Sequence, residues 1–246
     1  MALVAASCGS DRAEPNLDPV RAAAAPSATP VAAGSRPASP SAAAPGSTEL
    51  GPAAPPTVVF LGDSLTAGYG LDGSDAYPAR VGELLAARSL PARVVNAGVP
   101  GDTTAGGLAR LDWLLAQKPT ILFVCLGGND GLRGLALEAT EANLRAIVVR
   151  AKAAGVEVVL AGMQIPPNYG PDYTSRFRAI FPRLAKELAV PLVSFLLEGV
   201  AADPTLNQAD GIHPNARGQR IVAETVAKVL EPLLRDRVRK ANAARG

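Results

Sequence analysis

From residue 57 onward the sequence predicts an α/β fold, a parallel sheet with helices packed on its faces, and three observations carry that reading. Short runs rich in Val, Leu and Ile alternate with longer amphipathic segments, and glycine- and aspartate-bearing turns punctuate them. Strands covered on both faces read as continuous apolar runs, because neither side of the pleat meets water. The runs at 57–61, 93–96, 121–126, 157–161 and 192–194 are the candidate strands. Helical stretches are expected between them at 76–88, 104–116, 138–153 and 173–188, and a last one at 215–237. In this last helix Ile221, Val222, Thr225, Val229 and Leu233 recur at helical spacing and are expected to pack on the sheet.

The rest of the chain is different in kind. Residues 9–56 are mostly Ala, Pro, Ser, Gly and Thr, with no aromatic side chain and no helical or strand period, which predicts a disordered linker. Its alanines inflate the 48% hydrophobic content without supplying core-building surface. The expected organisation is therefore a short segment at 1–8, the linker at 9–56, one catalytic-size domain at 57–237 and a basic tail at 238–246. The net charge of +2 and a single dense basic run, Arg235, Arg237, Arg239 and Lys240, exclude a nucleic-acid footprint and fit a solvated helix end. A monomer is expected.

The two cysteines sit in unlike surroundings, so a disulfide between them is not expected. Cys125 lies in an apolar run, as small buried cysteines do. Cys8 follows Leu3-Val4-Ala5-Ala6-Ser7 and resembles the end of a bacterial lipoprotein signal, although a basic n-region and a full apolar stretch are missing. Two readings stay open: a lipidated cysteine tethering an exported domain to the envelope, or an ordinary secretory remnant. No run of about 20 apolar residues occurs that would span a bilayer.

The polar punctuation falls at the carboxyl ends of the strands, where open parallel sheets bind ligands. Gly62-Asp63-Ser64 follows the first run, Gly98 to Asp102 the second, Gly127 to Asp130 the third, and Asp210 and His213 precede the last helix. A serine hydroxyl needs a base to take its proton, and the base is usually a histidine held by a carboxylate. His213 is the chain's one histidine, with Asp210 three residues before it in a compact turn. Acyl transfer also needs donors for the developing oxyanion. The Ser64 N–H, the Gly101 N–H and the Asn129 side-chain amide are the candidates, although taken one at a time these glycines and the Gly-Asn-Asp stretch read as ordinary turn chemistry. Asp63 and Asp130 adjoin these positions and are assigned to loop architecture.

Taken together these blocks resemble the GDSL, or SGNH, family of esterases and lipases. Phe60-Leu61-Gly62-Asp63-Ser64-Leu65-Thr66 matches its nucleophile block, Asn96 to Thr104 its glycine block, Leu126-Gly127-Gly128-Asn129-Asp130 its asparagine block and Asp210 to Pro214 its last block. Gly107 to Leu111, Gly131 to Gly134 and Pro167 to Gly170 add similarity to the bacterial periplasmic subgroup of thioesterases, lysophospholipases and arylesterases. The resemblance implies a flavodoxin-like three-layer sandwich with five parallel strands in the order 2-1-3-4-5. It implies Ser64 as nucleophile, His213 as general base, Asp210 as its orienting partner, and no metal or organic cofactor. It also implies an exported, periplasmic or envelope-anchored enzyme, and a segment at 131–134 that borders the acyl chain. A carbohydrate O-acetyl esterase or an acyltransferase would use the same trio, and a non-catalytic envelope-binding module is a further alternative. A deep apolar groove would favour lipid and aryl esters over glycan acetates.

Overall fold

The computed structural model describes residues 54–244. The Cys8 region and nearly all of the expected linker lie outside them. The described chain runs β1 (Thr57–Gly62), α1 (Ser64–Ala67), α2 (Tyr77–Ala87), β2 (Arg93–Gly98), α3 (Thr104–Ala109), α4 (Leu111–Leu115), β3 (Ile121–Cys125) and α5 (Gly128–Leu132). It continues through α6 (Leu137–Ala153), β4 (Glu157–Ala161), α7 (Pro171–Glu187), β5 (Leu192–Val193) and α8 (Ala216–Ala243).

All four strand pairs are parallel and the order is β2-β1-β3-β4-β5. Chirality explains which helix lies where. A β-crossover-β connection is right-handed, so stepping from β1 to β2 puts α2 on one face. The return over β1 to β3, then β4 and β5, puts α3, α6 and α7 on the other. The contacts agree: α2 packs with α8, while α6 packs with α3 and α7. Every residue of β3 is buried, as the continuous apolar run requires of a strand covered on both faces. Because the order of strand addition reverses at β1, with β2 on one side of it and β3 on the other, the carboxyl ends of β1 and β3 flank the switch point, where a crevice opens.

Three details depart from the pattern read in the sequence. The helix expected at 104–116 is two, α3 and α4, meeting at Arg110. The final helix runs through Ala243, past the expected end at Arg237, supported by Asp236 pairing with Arg239 and Lys240 at 3.0 and 2.6 Å. Its buried stripe is Val222, Ala223, Val226, Ala227, Leu230 and Leu234, and the expected Val229 and Leu233 pack against the core while partly exposed, whereas Ile221 faces outward. Gln219 is buried on the same helix, accepting the Tyr77 N–H at 2.9 Å and donating to the Leu65 carbonyl at 3.4 Å.

Candidate active site

The site grows from the end of β1. At Gly62 an added Cβ would stand 2.0 Å from Thr66 Oγ1, so the first turn of α1 folds directly over the strand end. Asp63 caps that turn, its Oδ1 accepting the Leu65 N–H at 3.0 Å. Ser64 is the first residue of α1, and an N–H at that position has no intrahelical carbonyl to use.

Across the crevice, the loop before α8 delivers Asp210 and His213. His213 Nε2 lies 2.8 Å from Ser64 Oγ, and His213 Nδ1 lies 2.6 Å from Asp210 Oδ2. The other carboxylate oxygen, Oδ1, accepts the Ile212 and His213 N–H groups at 2.9 and 3.0 Å. The His213 amide and imidazole and the Ile212 amide hold the Asp210 carboxyl down at about 2. An ionised Asp210 is acceptor-only, so the neutral imidazole keeps its proton on Nδ1 and turns the bare Nε2 towards the serine hydroxyl.

The loop after β2 supplies Gly101, whose φ of +79° is the left-handed conformation that favours glycine. Its carbonyl accepts from Arg133 Nη2 at 2.9 Å. Asn129, in α5, donates through Nδ2 to the Asp102 carbonyl at 2.9 Å, with Asp63 Oδ2 at 3.4 Å. Ser64, Gly101, Asn129, Asp210 and His213 all line one cavity of about 700 Å³. Its apolar wall includes Leu65, Leu132, Met163, Ile165, Phe195 and Leu197. Among the described residues, no group of three or more His, Cys, Asp or Glu side chains could hold a metal ion.

The two neighbouring acids differ. Asp130 is buried and ties loops together, accepting the Thr104 N–H at 2.9 Å and the Thr104 hydroxyl at 2.5 Å, which is the architectural role expected of it. Asp63 is also a cap, but burial pushes its carboxyl up to about 6 against the opposing pull of the Leu65 amide and His213, and it reaches Asn129. Three side chains have roles the sequence did not assign. The Tyr69 ring packs on the imidazole with centroids 4.9 Å apart. Gln208 Nε2 donates to the Tyr69 carbonyl at 2.7 Å. Arg110 spreads its guanidinium over Asp102 Oδ2, the Ala97 carbonyl and the Gly62 carbonyl at 2.8, 2.7 and 2.9 Å. An exposed aromatic between Gly68 and Gly70 was the one available signal for Tyr69; nothing local marks Gln208.

A carboxylate, an imidazole and a serine hydroxyl in series at the switch point of a parallel sheet have the geometry of a serine hydrolase. The chain belongs to the GDSL-like lipase/acylhydrolase family, whose model matches residues 60–221. It is 45% identical over 183 residues to esterase TesA of Pseudomonas aeruginosa, covering 74% of this chain and 91% of that protein. Over the same length it is 46% identical to thioesterase 1/protease 1/lysophospholipase L1 of Escherichia coli K12, covering 74% of this chain and 86% of that one. The crystal structure of TesA superposes with a TM-score of 0.70, covering 72% of this chain and 99% of that chain at 45% identity. AlinE4, an SGNH-hydrolase family esterase, superposes with a TM-score of 0.62 at 42% identity, covering 73% and 97%. The enzyme is accordingly an ester hydrolase.

Proposed function

We propose that this enzyme hydrolyses carboxylic esters with apolar acyl groups, lysophospholipids and aryl esters among them, and acyl thioesters, through an acyl-serine intermediate on Ser64. His213 takes the Ser64 proton as Oγ attacks the acyl carbonyl. The oxyanion accepts from the Ser64 N–H, the Gly101 N–H and Asn129 Nδ2. The imidazolium, held by Asp210, then protonates the departing alcohol or thiol. In the second half a water gives its proton to His213, attacks the acyl-enzyme and releases the acid, and the proton returns to Ser64 Oγ.

The observation that carries this reading is the hydrogen-bond series Asp210–His213–Ser64 opening into a cavity with an apolar wall. That wall favours fatty and aryl esters over glycan acetates, which want polar partners. The test is a fluorophosphonate probe, which should label the wild type on Ser64 and leave Ser64→Ala unlabelled. A folded wild type that resists labelling overturns the assignment.

The catalytic unit is assigned to the region from residue 57 to the end of α8, in an exported enzyme of the periplasm or envelope. Among the described residues no helix is long and apolar enough to cross a membrane. An envelope tether would act through Cys8, and mass spectrometry of the membrane fraction checks it: an unmodified Cys8 removes the tether from the proposal.

A further inference from the structure

Asn129 can donate to an oxyanion only if its amide presents nitrogen, not oxygen, to the crevice. A primary amide is nearly symmetric in shape, so its orientation is decided by which neighbours accept. Two acceptors converge on Nδ2: the Asp102 carbonyl at 2.9 Å and Asp63 Oδ2 at 3.4 Å. A flipped Asn129 would set its own carbonyl oxygen against both. The two contacts are unequal. The bond to Asp102 has ordinary length, while the contact with Asp63 lies beyond the usual range of about 2.7–3.2 Å and leaves that hydrogen easy to surrender.

Asp63 itself is fixed from the other side. Its Oδ1 accepts the Leu65 N–H at the start of α1, the helix that begins with Ser64, and its side chain is buried, with only 2% exposure. One carboxylate therefore joins the turn that carries the nucleophile to the amide that faces the same cavity from α5. We infer that Asp63 is a positioning residue for the oxyanion site: through its two oxygens it sets the Asn129 amide relative to Ser64, and it yields the Asn129 hydrogen when the oxyanion forms. The inference rests on the reading of Asn129 as an oxyanion donor.

The substitution Asp63→Asn separates this role from helix capping. Asparagine caps a helix about as well as aspartate. It has a single acceptor oxygen, so capping Leu65 turns its NH₂ group towards the NH₂ of Asn129, donor against donor. Asp63→Ser also caps but puts no second acceptor near Asn129.

The experiment is a double-mutant cycle on a nitrophenyl ester, with kcat, KM and melting temperature measured for the wild type, Asp63→Asn, Asp63→Ser, Asn129→Ala and Asp63→Asn/Asn129→Ala. Loss of one oxyanion donor lowers kcat by about 100- to 1000-fold, the drop expected of Asn129→Ala. Both Asp63 variants should lower kcat at least about tenfold with KM within about twofold, and the double mutant should match Asn129→Ala, the signature of residues acting through one another. Multiplying losses in the double mutant, or an Asp63→Asn enzyme with wild-type kcat, overturn the inference. A wild-type kcat in Asn129→Ala removes the oxyanion reading, and this inference with it. Should Asp63→Asn melt far below the wild type, Asp63→Ser carries the comparison, and a wild-type kcat there is likewise fatal.

Discussion

Asp210 is hydrogen-bonded to His213 and Asp63 adjoins Ser64, and the fold shifts their two carboxyls in opposite directions. The Asp210 carboxyl is held at about 2, below the ordinary 3.8, by the His213 amide and imidazole and the Ile212 amide. Its contribution to stability is full above the unfolded value and is lost as pH falls through about 2. Asp63 is raised to about 6 by burial, so its contribution is full below 3.8 and is lost as pH rises through about 6. Melting temperature measured against pH should therefore show Asp210→Asn flattening the acid limb and Asp63→Asn flattening the slope between pH 4 and about 6. Equal slopes in wild type and variants would refute the assignment of these limbs. Asp210→Asn should also lower kcat by on the order of 1000-fold or more, since the imidazole loses the partner that fixes its tautomer. The candidate residues Ser64, Gly101, Asn129, Asp210 and His213 were picked out in the sequence by the resemblance of their four ordered blocks to the family, each residue alone being ordinary turn chemistry. Tyr69 and Gln208 were not, because Gln208 meets the Tyr69 carbonyl across 139 residues of chain and only the fold brings them together.

Between the elements, two side chains do the aligning. Gln208 Nε2 bridges the Tyr69 and Pro214 carbonyls at 2.7 and 3.2 Å, and its own N–H donates to the His213 carbonyl at 2.7 Å. At Gly70, with φ of +78°, a Cβ would stand 2.3 Å from Gln208 Oε1, so the loop after α1 is built to admit this amide. Gln208→Ala should slow both ester turnover and fluorophosphonate labelling of Ser64 by about tenfold or more, since small misplacements of reacting groups are costly. An unaltered labelling rate would show that the backbone alone aligns the loops. Arg110 does the corresponding work for the Gly101 loop, and it sits at the junction where the one expected helix is two. The apolar pattern over 104–116 reads as continuous, but the guanidinium is committed to Asp102 and to the ends of β1 and β2, which holds the junction between α3 and α4 in place. Lysine cannot make three directed bonds from one planar group. Arg110→Lys should lower stability by about 1–3 kcal/mol in urea unfolding and reduce kcat more than it raises KM.

At the scale of the whole molecule, the alternation of apolar runs and amphipathic segments made the sheet and its covering helices readable. On α8 the sequence picked out Val222, Val229 and Leu233 of the core-facing side but missed Ala223 and Ala227, because small alanines carry little weight in a hydrophobic pattern. What the architecture adds is a cavity of about 700 Å³ at the switch point, with Leu132, Met163, Ile165, Phe195 and Leu197 along its wall beside Ser64. An acyl chain laid against that wall leaves water, and each methylene buried contributes about 0.8 kcal/mol. If that energy is expressed in the transition state, kcat/KM over a nitrophenyl ester series should rise about three- to fourfold per added methylene. The rise should end where the chain outgrows the wall. Ile165→Ser places a hydroxyl in that wall and should lower kcat/KM on the longer esters by a larger factor than on the acetate. A flat series from acetate to octanoate, or an equal loss on both esters in Ile165→Ser, would mean that the acyl chain lies elsewhere and that the apolar wall serves the leaving group.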